Sequence, residues 1–561
     1  MRSFLLSIAV TALVALAADA QVCVDARNAS APPDGTPARP YRTVQAGIDA
    51  AAPGQSVLVA TGVYNEDVRV EAKAVLLRGG YIGGSEVQYA TGQPGDFDTR
   101  DSAAYLTELN GTGSESVVTL LEAGATEVDG FRITGGGGST VDLPYASNGG
   151  GVFVRGGAPV LRSNLIEGND ARRAGDVSAF GGGIYADGAD ITIEDNDISE
   201  NVALRGAGIA ALGGTATIRG NTVRGNVGHG DHGGGIYVGA PEATITGNRI
   251  HENEIGRELG YGWGAGILVF NPGNHADLSF NEIFDNYAAG LGAGVFVDEG
   301  ATAVLRNELI YQNTVEPAGT GGGAVYVDGG EIDGVRVGSI VEIINCTIAD
   351  NPVPDAYLGG NALFVEGSSS VMVRNSIFWG NDLEIWFDDM SSVLVSYSNI
   401  GDVTAGTGNI SRDPLFADPA AGDYHLRSAA GRWDPAASAG AGAFVMDADT
   451  SPAIDAGDPA DSFANEPAPN GGRVNLGAYG NTAEASLSIQ PVEGEGEGEG
   501  EGEGEGEGEG EGEGEGEGEI GGCPLNKAQP GSTRGARGDL ALLGAAAIAL
   551  LRGAFGRHRK R

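Results

Sequence analysis

The stretch GGGIYADGADITIEDNDISENVALRGAGIAALGGTATIRGNTVRGN, Gly181–Asn226, holds two copies of one phrase, and that repetition decides the fold. Each copy opens on a small-residue triplet, Gly181-Gly182-Gly183 or Gly206-Ala207-Gly208, runs through short apolar alternations, and meets Asn twice. Working outward, the phrase returns as GGGVFV from Gly149, GGGIYV from Gly233, GAGILV from Gly264, GAGVFV from Gly292, GGAVYV from Gly322 and GNALFV from Gly360. The starts lie 32, 25, 27, 31, 28, 30 and 38 residues apart. Repetition at such a period is the mark of a stacked repeat architecture.

Within each phrase, pairs such as Ile184 and Ala186, Ile236 and Val238, Val295 and Val297, or Val325 and Val327 alternate at period two. That is a strand with one buried face. The strands are short and bounded by Gly or Asn, which leaves no room for crossover helices. A repeat of this length with two or three such strands is one coil of a parallel solenoid, its coils stacking about 4.8 Å apart. The reading is an all-β chain with a right-handed parallel β-helix from Asn148 to Asp402.

Two columns of Asn support the stacking. One is Asn164, Asn196, Asn221, Asn248, Asn281, Asn307, Asn345, Asn375 and Asn399; the other is Asn169, Asn201, Asn226, Asn253, Asn286, Asn313, Asn351 and Asn381. Asn tolerates left-handed backbone and pairs amide to amide when stacked, so both columns read as structural.

Around this body the chain divides further. Residues 1–20 read as a secretory signal: Arg2, the apolar Phe4–Ala17, and Ala18-Asp19-Ala20 with cleavage between Ala20 and Gln21. Cys23 follows a poor lipobox, so ordinary cleavage is expected. Residues 21–147 read as an N-terminal cap and first coils. Thr43 caps a short helix whose face is Val44, Ile48 and Ala52, and a solenoid needs such a cap to hide its open end. Residues 148–403 are the repeats, and residues 404–492, rich in Asp-Pro and Gly-Asp turns, read as an irregular C-terminal cap. Residues 493–519 are Glu-Gly repeats that cannot form a core and extend as a linker. Residues 520–561 hold Cys523, the short apolar run Leu540–Leu551 and a basic end, and read as an anchor segment.

Composition narrows the function classes. The formal net charge is -43; the linker holds 14 Glu, yet the last segment is basic, so most of the acid lies on the body. Such a surface repels nucleic acid and suits solubility or cation binding. Three dispersed cysteines give no disulfide framework and no zinc spacing. Cys346, inside an apolar run, reads as a buried inert thiol. The body is expected to be monomeric.

These motifs resemble the secreted right-handed β-helix proteins of the pectate-lyase-like superfamily. From Asp413, the elements DYHL, SPAID and LGAY resemble the domain called choice-of-anchor Q, and residues 520–561 resemble a tripartite bacterial sorting signal. The resemblance implies display at the bacterial cell envelope, with Cys523 as the processing or lipid-attachment point. It is strong for fold and location and says little about chemistry.

Candidate chemistry lies on the outward side of the repeated strand. One row reads Phe153, Tyr185, Ala210, Tyr237, Leu268, Phe296, Tyr326, Phe364 and Trp386. The row beside it reads Arg155, Asp187, Leu212, Gly239, Phe270, Asp298, Asp328, Glu366 and Asp388. Aromatic faces stack on sugar rings, and flanking carboxylates accept hydroxyls or hold Ca²⁺. The competing reading is that the rings stack coil to coil and stabilise the sheet. Inserts at 170–180, 254–263 and 352–359 could wall one side of the stripe.

A lyase needs a cation cluster and a strong base; Asp298, Asp328 and Asp388 could supply the first, but Arg and Lys are nearly absent from the rows. Gly228-His229-Gly230 is similar to an element of polygalacturonases, yet the carboxylate elements that should precede it are missing. His229, Asp231, His232 and His251 read as a solvated loop rather than a metal site, and no cofactor is expected beyond Ca²⁺. The leading expectation is a non-catalytic binding or structural module contacting polysaccharide or glycoconjugate. The alternatives are a polysaccharide lyase or glycoside hydrolase, and a purely structural surface or adhesin component.

Overall fold

The computed structural model describes residues 21–29, 32–141, 147–173, 176, 178–316, 322–352, 361–402 and 405–489. The expected signal segment with Ala20, the Glu-Gly linker and the anchor segment with Cys523 lie outside them, as do residues 353–359 of the third insert.

Successive coils run from Ser56 to Ile400 and build three long sheets of 14, 12 and 11 strands, with a five-stranded sheet added in the middle coils. One coil shows the order: Ile184–Asp187 in the 11-stranded sheet, Ile191–Glu194 in the 14-stranded, Asp197–Ser199 in the 12-stranded and Val202–Ala203 in the fourth. Coil-to-coil pairing is parallel and its register equals the phrase spacing. Val152 pairs with Ile184, Ile184 with Ile209, Ile209 with Ile236 and Ile236 with Ile267. Inward residues of these strands, such as Ile184, Ile236, Val295 and Val325, are fully buried.

The glycines of the phrase have two separate jobs. Gly181 takes a φ of +65° and turns the chain into the strand. Gly235, the third of its triplet, is flat against the next coil: a Cβ there would sit 2.7 Å from the Gly266 carbonyl oxygen and 3.0 Å from Asn253 Nδ2. The triplet thus lets the backbone approach the second Asn column.

That column is a continuous amide ladder. Asn201 Oδ1 accepts from the backbone N–H and Nδ2 of Asn169, and the pattern repeats through Asn226, Asn253, Asn286, Asn313 and Asn351 to Asn381. Each Nδ2 also donates to a strand carbonyl, as Asn226 does to Ile198 at 2.9 Å. A carboxamide offers the acceptor and two donors that this requires.

The first column behaves the same way only from Asn164 to Asn281. Its next member is Glu308, whose Oε1 accepts from Asn281 N and Nδ2 at 3.3 and 3.0 Å. Beyond it the inner position passes to Cys346, Ser376 and Ser398. Asn307, Asn345 and Asn375, read in the sequence as ladder members, stand one residue earlier, with φ of +55°, +52° and +52°. They hold the C-terminal segment instead. Asn307 Nδ2 donates to the carbonyls of Ala478 and Gly480 at 2.9 Å, Asn345 Nδ2 to that of Asn475, and Asn375 Nδ2 to Asp461 at 2.6 Å.

The irregular C-terminal segment, residues 405–489, therefore lies along the flank of the last coils. Its Phe416, Tyr424, Leu426, Leu476 and Ala478 bury against Leu309, Tyr311 and Ile377 of the 12-stranded sheet. At the other end, the helix Val44–Ala50 covers the first coil through Val44, Gly47 and Ile48. Its expected face is corrected by one residue: Ala52 is exposed and Ala51 is buried. Both helix ends are held from the first coil. Glu66 accepts from the N–H groups of Val44 and Gln45, and Lys73 donates to the carbonyls of Ile48 and Ala51, each opposite the matching end of the helix dipole. Cys23 is buried in the strand Val22–Val24, where burial pushes its thiol up to about 12. Cys346 is buried as expected.

Candidate functional site

The two outward rows of the 11-stranded sheet are in register, so aromatics on adjacent coils meet, as from Phe296 to Trp386, while Ala210 and Leu268 flank Tyr237. Coil spacing is close to ring-stacking distance, which turns the row into a ladder. Tyr326 stacks on Phe364 at 4.8 Å and 10°, and Phe364 on Trp386 at 4.2 Å and 21°.

The aromatic row is covered along most of its length. Tyr185, Tyr237, Phe296, Tyr326 and Phe364 are all buried. Phe153 stacks on Tyr185, Phe296 meets Tyr326 edge-on and Tyr326 stacks on Phe364, while Tyr237 lies between Ala210 and Leu268; side chains of the second row and of the inserts close over the row. Phe180, Trp263 and Leu291 come from the segments before the strands; Leu212 and Phe270 come from the adjoining row. Phe180 meets Tyr237 edge-on at 5.5 Å. A sugar ring has no access to these faces.

The residues read as a solvated histidine loop belong to this wall. Asp231 is bidentate with Arg205 at 2.6 and 3.0 Å, both largely buried. Burial opposes ionisation of Asp231, but His232 and Arg205 hold its carboxyl well below the ordinary range. His232 packs edge-on against Trp263 and Phe270, while His229 reaches Glu258 at 2.9 Å. His251 stacks on Phe284 in a different sheet. Among the described residues, no three His, Cys, Asp or Glu side chains gather as they would around a metal ion.

The acidic row is half-buried and tied to its own turns. Asp298 accepts from Glu299 N, Asp328 from Gly329 N, and Asp388 from Gly367 N and Met390 N. Glu366 accepts from the Tyr326 hydroxyl at 2.6 Å. Burial, with the charge of Glu366, pushes Asp328 up to about 7. For Asp388, burial is outweighed by hydrogen bonds from Ser391 and from backbone amides, and its carboxyl lies below the ordinary range. Asp388 is thus a charged acceptor at this end of the row.

One ring of the stripe differs from the rest. Trp386 sits on Ile385–Phe387, the last strand of the sheet, half-buried, with Phe364 on one face and no further ring of the described chain on the other. Around it lie the half-exposed Glu366 and Asp388, the exposed Asp389, and Phe387 and Met390, 49% and 57% exposed. The structure brings Trp386, Glu366 and Asp388 together at the end of the solenoid. Tyr185, Tyr237 and Asp298 lie coils away.

The sequence reading missed Glu308 and Glu384, which end the two Asn ladders. Glu384 precedes Trp386 by two residues; its carboxylate accepts from Asn381 Nδ2 at 2.8 Å, and burial pushes it up to about 7. For Glu308 the countable signal was a Glu 27 residues after Asn281, where the coil period demands a ladder amide; Glu384 stands three residues after Asn381 in the same coil, and no period marks it.

The family described as right handed beta helix region matches residues 114–240, 180–334 and 265–409, together more than half of the chain. The chain belongs to this right-handed β-helix family. The fold anticipated from the repeated phrase is that of the family. A second family, described as disaggregatase related, matches residues 393–457. No curated protein matches the sequence. Among solved structures, similar chains include XylC in complex with xylose, 11% identical, covering 71% of this chain and 87% of that one with a TM-score of 0.40. Another is the pectate lyase Pel9A, 13% identical, covering 82% of this chain and 97% of that one with a TM-score of 0.38.

Proposed function

We propose that this β-helix protein is exported, displayed at the bacterial cell envelope on its Glu-Gly stalk, and binds polysaccharide or glycoconjugate without transforming it. The observation that carries the binding reading is the terminal position of Trp386: it is the one member of the row that is not buried, with Phe364 stacked on one face. Asp388, charged, and Glu366 flank it as acceptors for sugar hydroxyls. The acids serve their own turns, and the rows themselves hold Arg only at Arg155, far from Trp386; Arg336, from the hairpin beside the stripe, reaches Met390 Sδ at 3.9 Å and is the base that a lyase reading would have to use.

The test is retention of the purified body on a panel of neutral and acidic polysaccharides, with and without Ca²⁺, while watching for new reducing ends or unsaturated products. Retention lost in Trp386→Ala, with no product, supports the reading. Turnover that disappears in Trp386→Ala with Asp388→Ala would establish a lyase or hydrolase. Neither retention nor turnover would leave a structural surface component.

Display has a separate test. Truncation after Glu519 should release the protein to the medium, and the mature C-terminus should end near Cys523 by mass spectrometry. An intact Arg561 on cell-bound protein would refute processing.

A further inference from the structure

Both amide ladders end on a buried glutamate, and the two ends differ in what they hold. Glu308 lies inside a coil with others stacked beyond it. Glu384 closes the second ladder at the edge of the last strand: it is 2% exposed, its Oε2 accepts from Asn381 Nδ2, and its Oε1 lies 3.5 Å from Asn381 N. Its backbone carbonyl accepts from Leu363 N at 2.9 Å, and its own N–H donates to Asp402 Oδ2 at 3.1 Å. The strand that follows, Ile385–Phe387, carries Trp386 and is paired on one side only, to Leu363–Val365.

We propose that Glu384 is a pH-dependent latch for this last strand, holding the Trp386 platform firmly in acidic surroundings and less firmly at neutrality. The latch stands on the ladder geometry; its consequence for glycan contact rests on the function proposed above.

The charges facing the group favour this direction. Asp402 approaches from the turn after Asn399–Ile400 and Asp350 from the coil below, both of the same sign as the ionised form, while Asn381 offers neutral donors. Burial is the largest effect, Asn381 partly offsets it, and the folded-state value stands at about 7. A carboxyl raised in the folded state contributes stability that is complete below the ordinary carboxyl range. That contribution is lost as pH rises through the folded value, after which it levels off. Opening the strand exposes Glu384 to water, so the same linkage applies to local opening.

The experiment is hydrogen exchange by mass spectrometry on the full chain, from about pH 5 to about pH 8, corrected for intrinsic rates, in wild type and Glu384→Gln. In wild type, protection of residues 384–388 should fall by up to about tenfold per pH unit toward neutrality and then level off, while Ile236–Gly239 stays constant. Glu384→Gln should be flat. Wild-type protection independent of pH, or an unchanged fall in Glu384→Gln, would overturn the latch. If Glu384→Gln does not fold, Asp402→Asn should shift the upper limit of the fall to lower pH, and an unmoved limit overturns the proposal equally. Exchange needs no ligand: absence of glycan binding at every pH would defeat the proposed function and leave the latch to be judged on exchange alone.

Discussion

Asn281 makes the same two donations as every Asn before it in its column, but a carboxyl receives them. Glu308 is fully buried and its Oε2 has no hydrogen-bond partner, where a ladder Asn would place a donating Nδ2. Burial pushes its carboxyl well above the ordinary range, which favours the protonated form, the closest stand-in for the amide. The sign follows: a raised folded value makes the protein most stable below the ordinary carboxyl range and weakens it as pH climbs. Glu308→Gln should therefore leave chemical-denaturation stability unchanged near pH 4 and raise it at pH 8, by about 1 kcal/mol or more. A variant no more stable than wild type at the higher pH would contradict the assignment. The same scale shows what the sequence hid. Asn164, Asn196, Asn221, Asn248 and Asn281 stand two residues before the next inward aliphatic, whereas Asn307, Asn345 and Asn375 stand three before Ile310, Ile348 and Phe378. Residue type continued while position slipped, and only that count reveals the change of role.

At the scale of elements, the strands were legible because period two and the phrase spacing together determine both face and register. What covers a face was not: alternation says which side a ring is on, and Phe180 and Trp263 arrive from inserts without any period. The helix Val44–Ala50 depends on charges from the first coil at both ends, so Glu66→Gln should cost about 1 kcal/mol and raise hydrogen exchange in residues 44–50 first. Within a coil, Ile236→Ala should cost about 3 kcal/mol by urea unfolding, since its cavity lies between two stacked strands that cannot collapse. The C-terminal flank hangs on side-chain bonds to the turn row. Asn375→Ala removes the bonds to Asp461 and Asp458, and limited proteolysis should then cut within residues 457–473 while the coils stay intact. Cleavage first within the coils would show that the flank is held elsewhere.

Among the described residues, each coil of the solenoid touches its neighbours, the first coil is capped by a helix and the last coils are flanked by an irregular segment. In such an array local contacts dominate, and a feature placed on the terminal strand is the least constrained part of its sheet. That is why the one member of the row that is not buried lies where the stack stops, a difference that period two cannot show in the sequence. The binding reading stands or falls on that difference between the last ring and the inner ones. The decisive measurement is calorimetric or column affinity of the body for whichever polysaccharide retains it, comparing wild type, Trp386→Ala and the inner-ladder Tyr237→Leu. The account expects about a tenfold or greater loss for Trp386→Ala and affinity close to wild type for Tyr237→Leu. Unchanged affinity in Trp386→Ala, or equal losses in both, would contradict it.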